Sequence, residues 1–132
     1  MSDTTAAGTV RRVANVIIPV RDQDRALEFY CGTLGLDKRA DQPFGGGYRW
    51  IEVAPPGAET PIALCPPPEG TDAGGRETGI ALSTADIDAC HARLKAAGAD
   101  VDAEVSRMGD PVPPMFWFRD PEGNTLMFVE ET

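Results

Sequence analysis

Tyr48, Trp50 and Glu52 stand at every second position of an apolar-rich stretch, and Met115 and Trp117 repeat that spacing further on. In a strand, alternate side chains share a face, so each set would line one surface. Two indoles, a phenol and a thioether make an aromatic wall. Such a wall can hold a flat molecule by stacking, or a cation over a ring, at on the order of 1 kcal/mol per contact. Glu52 could orient a cationic group. It could also act as a general base if burial raised its pKa. The plainer alternative is a carboxylate at a solvated strand end, paired with Arg49 or Arg119.

Other chemistry has less support. A cysteine nucleophile needs a nearby base. The one histidine, His91, falls on a helical stretch away from the strands, and it reads as a surface or helix-flank residue. Cys90 belongs to a helix stripe, whereas Cys65 is expected to face the aromatic surface. No motif supports a Ser-His-Asp arrangement. Gly45-Gly46-Gly47 is followed by neither Lys-Ser nor Lys-Thr, so it is a turn into the Tyr48 strand and not a phosphate loop.

The chain as a whole bounds the partners. It has 132 residues, with 42% hydrophobic and 25% charged, the makeup of one globular domain. A net charge of −9 argues against nucleic acid and anionic membranes, and favours a cationic ligand. Three cysteines, Cys31, Cys65 and Cys90, have no CxxC spacing, which fits reduced thiols in the cytoplasm. No apolar run has transmembrane length. Residues 1–9 are expected to be a disordered lead-in without signal-peptide character.

Two similar halves must position the aromatic residues. Strand sequence over 13–20 is followed by Asp22, a good N-cap, and a helix to about Cys31 with the stripe Ala26, Leu27, Phe29 and Tyr30. Gly32 and Gly35 end it. Strands are expected over 36–40, 48–54 and 62–65. A Pro- and Gly-rich linker covers 66–77. The pattern then restarts with a strand over 78–84 and a helix capped by Asp86. Its stripe is Ile87, Cys90, Leu94 and Ala97, and Gly98 stops it. Strands over 100–105, 115–119 and 125–130 follow, the last two joined by Asp120-Pro121-Glu122-Gly123. Both halves therefore read β-α-β-β-β, an α+β domain over 10–131 with modules at about 10–66 and 78–131. A constant offset of 64 residues relates Asn15 to Gly79, Asp22 to Asp86 and Ala63 to Met127.

One strand register collects Val16, Ile18, Ile51, Val53, Ile62, Leu64, Ile80, Leu82, Phe116, Phe118, Leu126 and Phe128, and it is expected to pack on the helices. The opposite register mixes aromatic, small and polar residues, as a hollow would.

The phrase from Asn15 to Asp22, then Arg25-Ala26-Leu27-Glu28-Phe29-Tyr30 and Leu34-Gly35-Leu36, resembles the opening of a vicinal oxygen chelate (VOC) protein. Gly79-Ile80-Ala81-Leu82, Asp86-Ile87-Asp88 and Phe118-Arg119-Asp120-Pro121-Glu122-Gly123-Asn124 resemble its second half. This is the glyoxalase I, bleomycin-resistance and extradiol-dioxygenase superfamily, and the resemblance covers about residues 10 to 131. It implies paired βαβββ modules in a U-shaped half-barrel, usually as a homodimer. In its metal-dependent members, His and Glu from four strands hold a divalent ion. Those positions correspond here to Asn15, Ala63, Gly79 and Met127, of which only Asn15 offers a hard donor. The expected protein therefore uses no metal or other cofactor. It binds a small, flat, preferably cationic molecule with Asn15, Tyr48, Trp50, Glu52, Met115, Trp117 and Met127, as a bleomycin-resistance protein sequesters its drug. The loop 109–114 would rim the mouth. The alternative is an enzyme of glyoxalase or dioxygenase type, with Glu52 as base, or with Glu52 and Glu130 as displaced metal ligands. A third reading is a filled pocket and an interaction module.

Overall fold

The computed structural model describes residues 7–131; most of the lead-in expected over 1–9 lies outside them. The first half runs β1 (Val16–Pro19), α1 (Gln23–Leu27) with a π-helical turn continuing it (Glu28–Thr33), β2 (Asp37–Gly45), β3 (Tyr48–Ala54) and β4 (Ile62–Cys65). The second runs β5 (Glu77–Thr84), α2 (Ile87–Ala96), β6 (Asp100–Val101), β7 (Met115–Arg119) and β8 (Thr125–Glu130). Each half makes a four-stranded mixed sheet, in the orders β1-β4-β3-β2 and β5-β8-β7-β6. The β-α-β-β-β repeat and the α+β class are as expected.

Local chemistry sets the helix ends. The Asp22 carboxylate accepts from the Arg25 N–H, and the Asp86 carboxylate from the Ala89 N–H, both at 3.0 Å. Each therefore satisfies one orphan donor of a first turn. The first helix had been expected to run uniformly to about Cys31 and to end at Gly32, but only Gln23–Leu27 is α and the π turn carries it through Gly32 to Thr33. It widens at Glu28, and Leu34 N–H reaches back five residues to the Phe29 carbonyl. The extra residue per turn lets consecutive Phe29 and Tyr30 both point inward. Gly35 and Gly98, at φ +83° and +82°, then turn the chain out of each helix.

Three boundaries differ from expectation. β2 runs on to Gly45 through Pro43, because it is an edge strand with bulges at 38–40 and 43–45, where a missing N–H is tolerated. The strand expected over 100–105 stops at Val101. The Asp102 carboxylate accepts from the Trp117 N–H at 3.3 Å and from Arg119 Nη1 at 2.9 Å, so it takes over the ladder's role there. Only the Ser106–Met115 bridge remains of that strand's far end. Ala97 is exposed, and the half-buried Ala99 packs against the core instead.

All twelve residues of the expected packing register belong to the core or pack on it, and both sheets and both helices contribute to one cluster. Phe118 joins the halves, with its ring 6.1 Å from Phe29 of the first module and 5.2 Å from Phe128 of its own sheet. Polar contacts join them as well. Tyr30 donates to Asp120 at 2.8 Å, and the Asn124 amide donates to the Pro19 carbonyl at 3.1 Å. Gln23 is buried and pins α1 to its own sheet through Arg49 and Leu64.

Burial pushes the Cys65 and Cys90 thiols up, and it raises Tyr30 with help from Asp120. Each is an acid that holds its proton more tightly in the folded state. The unfolded chain loses those protons first as pH rises, so stability is full below the unfolded pKa and falls above it. At the other end, hydrogen bonds from Arg49 hold Asp41 down to about 2, and Arg119 lowers Asp100. Urea midpoints are therefore expected to be flat between about pH 5 and 8 and to fall beyond about pH 9 and below about pH 4. A midpoint that rises between pH 8 and 10 would contradict this assignment.

Candidate functional site

Since the two sheets share one core, their other faces both point away from it. The first bears Glu52, Ala63 and Ile17 as a row of paired residues across β3, β4 and β1. The second bears the matching row, Trp117, Met127 and Ala81, across β7, β8 and β5. The repeat in sequence is thus a repeat in register.

Within the first row the Trp50 indole N–H donates to Glu52 Oε2 at 3.0 Å, with both side chains partly buried. This settles the open question of the Glu52 partner. Arg49 is bound to Asp24 and Asp41, and Arg119 to Asp100 and Asp102. Phe44 on the edge strand lies 5.7 Å from Trp50, an aromatic neighbour that the spacing had not singled out because β2 had been ended too early. Ile17 is 55% exposed and Tyr48 50%. Asn15 is half-buried just ahead of β1. Met115 and Met127 are half-buried.

The structure does not bring all of these into one hollow. Tyr48 borders a pocket of about 270 Å³ with Arg21 and the 66–71 part of the linker. Ile17 borders another, of about 460 Å³, with Pro19, Pro68, Arg76 and Thr78. Both share Pro68 and Thr71, so the linker walls the aromatic face. Among the described residues, neither Trp50 nor Trp117 lines either of these two pockets.

The four positions that match the superfamily's metal ligands do not fit a divalent ion. Ala63 is fully buried and Gly79 is exposed with φ +72°; neither has a donor. Met127 offers a soft thioether and Asn15 one amide oxygen. Among the described residues, no three His, Cys, Asp or Glu side chains come together as a metal would need. Glu130 is engaged elsewhere, accepting from the Ile87 N–H at 3.0 Å as a second cap of α2. His91 holds the Asp102 carbonyl at 2.7 Å and meets Phe116 edge-on, which is a helix-flank role.

Two four-stranded sheets of this topology that contribute to one core, each bearing aromatic residues on its other face, define a paired-module protein. Residues 12–128 match the Glyoxalase/Bleomycin resistance protein/Dioxygenase superfamily, and the chain belongs to it. It is similar to TnmS3, an antibiotic binding protein from Streptomyces sp. CB03234. Identity there is 36%, over 93% of this chain and 98% of that one, with a TM-score of 0.81. A member of the superfamily from Sphaerobacter thermophilus DSM 20745 is 37% identical over 92% and 98%, with a TM-score of 0.84. The uncharacterized protein YetH of Bacillus subtilis (strain 168) is 28% identical over 92% of this chain and 99% of its own length. Among the described residues no helix is long and apolar enough to cross a membrane.

Proposed function

We propose that this protein binds a small, flat molecule, preferably a cation, without a metal or other cofactor, and acts by sequestering it. The observation that carries this reading is the Trp50–Glu52 pair, an indole oriented by a carboxylate on a face turned away from the core. Trp117 and Met127 in the matching row supply a second wall. Asn15, Tyr48 and Met115 extend the two surfaces. The net charge of −9 and the similarity to an antibiotic binding protein agree with it. We place the protein in the cytoplasm, in keeping with its three free cysteines.

The ligand sits between two copies of the chain. A sheet whose aromatic face points away from its own core needs an opposing wall to exclude water, and the partner's other sheet is a complementary one.

Acridine orange, a flat aromatic cation, is expected to quench tryptophan fluorescence saturably in a sample that sediments as a dimer. Trp50→Ala and Trp117→Ala should each weaken binding about tenfold. A monomer that quenches nothing would overturn the reading, and so would one equivalent of tightly held Zn, Ni, Mn or Fe per chain. One observation favours a glyoxalase-type reaction as second reading, namely that Glu52 is already oriented as a base must be. Turnover of a small carbonyl substrate that is lost in Glu52→Gln would select it.

A further inference from the structure

We infer that the ligand of the aromatic face carries an N–H on its charged nitrogen, as a protonated heterocycle or an amidine does, and is not a quaternary ammonium. This rests on the proposed sequestration at that face and narrows the class of its ligand. The basis is the second oxygen of Glu52. Oε2 accepts from the Trp50 indole N–H at 3.0 Å, which fixes how the carboxylate is turned. Among the described residues nothing donates to Oε1. Glu52 is only partly buried, and no buried side-chain oxygen or nitrogen of the described residues lacks a partner, so Oε1 opens onto the face.

The neighbours of Glu52 keep that oxygen open. Its register partners are Ala40 on β2 and Ala63 on β4, and Ile17 follows on β1. Two methyl groups are too short to cover a carboxylate, and none of the three side chains has a donor. Burial, with the Glu52 charge adding to it, raises the Cys65 thiol, so this neighbour supplies no positive charge. The cations of the sheet's own strands are all engaged elsewhere. Lys38 pairs with Asp41, Arg49 with Asp24 and Asp41, and Arg39 donates to the Pro55 and Ala58 carbonyls. Glu52 is thus a half-buried charge on an apolar strip, held in one orientation by a neutral donor. A ligand that covers it displaces water from Oε1, and an oxygen left there without a donor is costly. A quaternary nitrogen would bring charge and no donor. An N–H would bring both, as a charge-assisted hydrogen bond, while the flat body lies against the Trp50 and Phe44 rings.

The test compares acridine orange, which near neutral pH is protonated on its ring nitrogen, with its ring-N-methyl derivative. The two share one ring system and one positive charge, and only the first has an N–H on the ring nitrogen. Titrated by tryptophan quenching, acridine orange should bind about tenfold more tightly than the methyl derivative. In Glu52→Gln the amide oxygen has to stay on the Trp50 N–H, which turns its NH2 toward the ligand, a donor against a donor. That variant should bind acridine orange about tenfold more weakly and no longer prefer it. A steric clash of the methyl group would instead persist in Glu52→Gln. Equal binding of the two dyes by the unaltered protein would overturn the inference and leave the aromatic site standing, and so would a preference undiminished in Glu52→Gln. The unaltered protein gives the first of these answers even if the variant does not fold. Quenching by neither dye would bring down the sequestration reading itself, and this inference with it.

Discussion

Phe118→Ala is expected to destabilise the fold by about 3–5 kcal/mol, the range for truncating a buried aromatic side chain. Phe118 is fully buried and packs on Phe29 and Phe128, so its ring is shared between the first module's helix and the second module's sheet. A typical domain has about 5–15 kcal/mol of stability, so the loss would be a large part of the whole. The chain carries its own reporters, with Trp50 in the first sheet and Trp117 in the second. Two variants that each retain one of them, in the Phe118→Ala background, should lose fluorescence at the same urea concentration, because one core cannot be half dissolved. Separate midpoints would mean that the modules are stable independently and that the Phe29–Phe118 contact contributes little.

The next largest effect is expected at Asp120, whose replacement by Ala should cost about 3 kcal/mol. Asp120 is buried and accepts four hydrogen bonds: from the Tyr30 hydroxyl, the Asn124 side chain, and the backbone N–H of Glu122 and Asn124. Removing the carboxylate leaves these donors in a dry environment without partners, which costs more than the bonds themselves were worth. The damage should spread. Asn124, with no exposed surface, also holds Pro19 of β1 and the Arg76 N–H of the linker. Tyr30→Phe removes only one donor and should cost about 1 kcal/mol. Urea midpoints measure both losses, and hydrogen exchange should quicken at the Glu122 and Asn124 amides only in Asp120→Ala. A small loss in Asp120→Ala, equal to that of Tyr30→Phe, would show that the network is not what fastens the turn to β1.

The sequence carried the elements because each of their signals is local. Alternation gave β3, β4, β7 and β8 to the residue. Asp22 and Asp86 marked the helix starts through the same short-range hydrogen bond that caps them. The core register was legible because a one-residue slip would put every apolar side chain into water. Where the signal was not local, the expectation missed. The reach of β2 past Pro43 depends on its being an edge strand, and the early end of β6 on a carboxylate that replaces a ladder partner. The π turn depends on two adjacent aromatics both finding core.

The candidate site divides along the same line. The alternation of Tyr48, Trp50 and Glu52, and of Met115 and Trp117, suffices to predict two aromatic surfaces, whereas the four metal-ligand positions come from the superfamily resemblance. The surfaces are properties of spacing and side-chain chemistry. The partner of Glu52, the placing of Phe44 beside Trp50, the linker as a wall beside Tyr48, and the failure of those pockets to reach Trp50 or Trp117 are not. Each depends on which surfaces meet once two modules close over one core, and that is set by contacts between residues far apart in the chain.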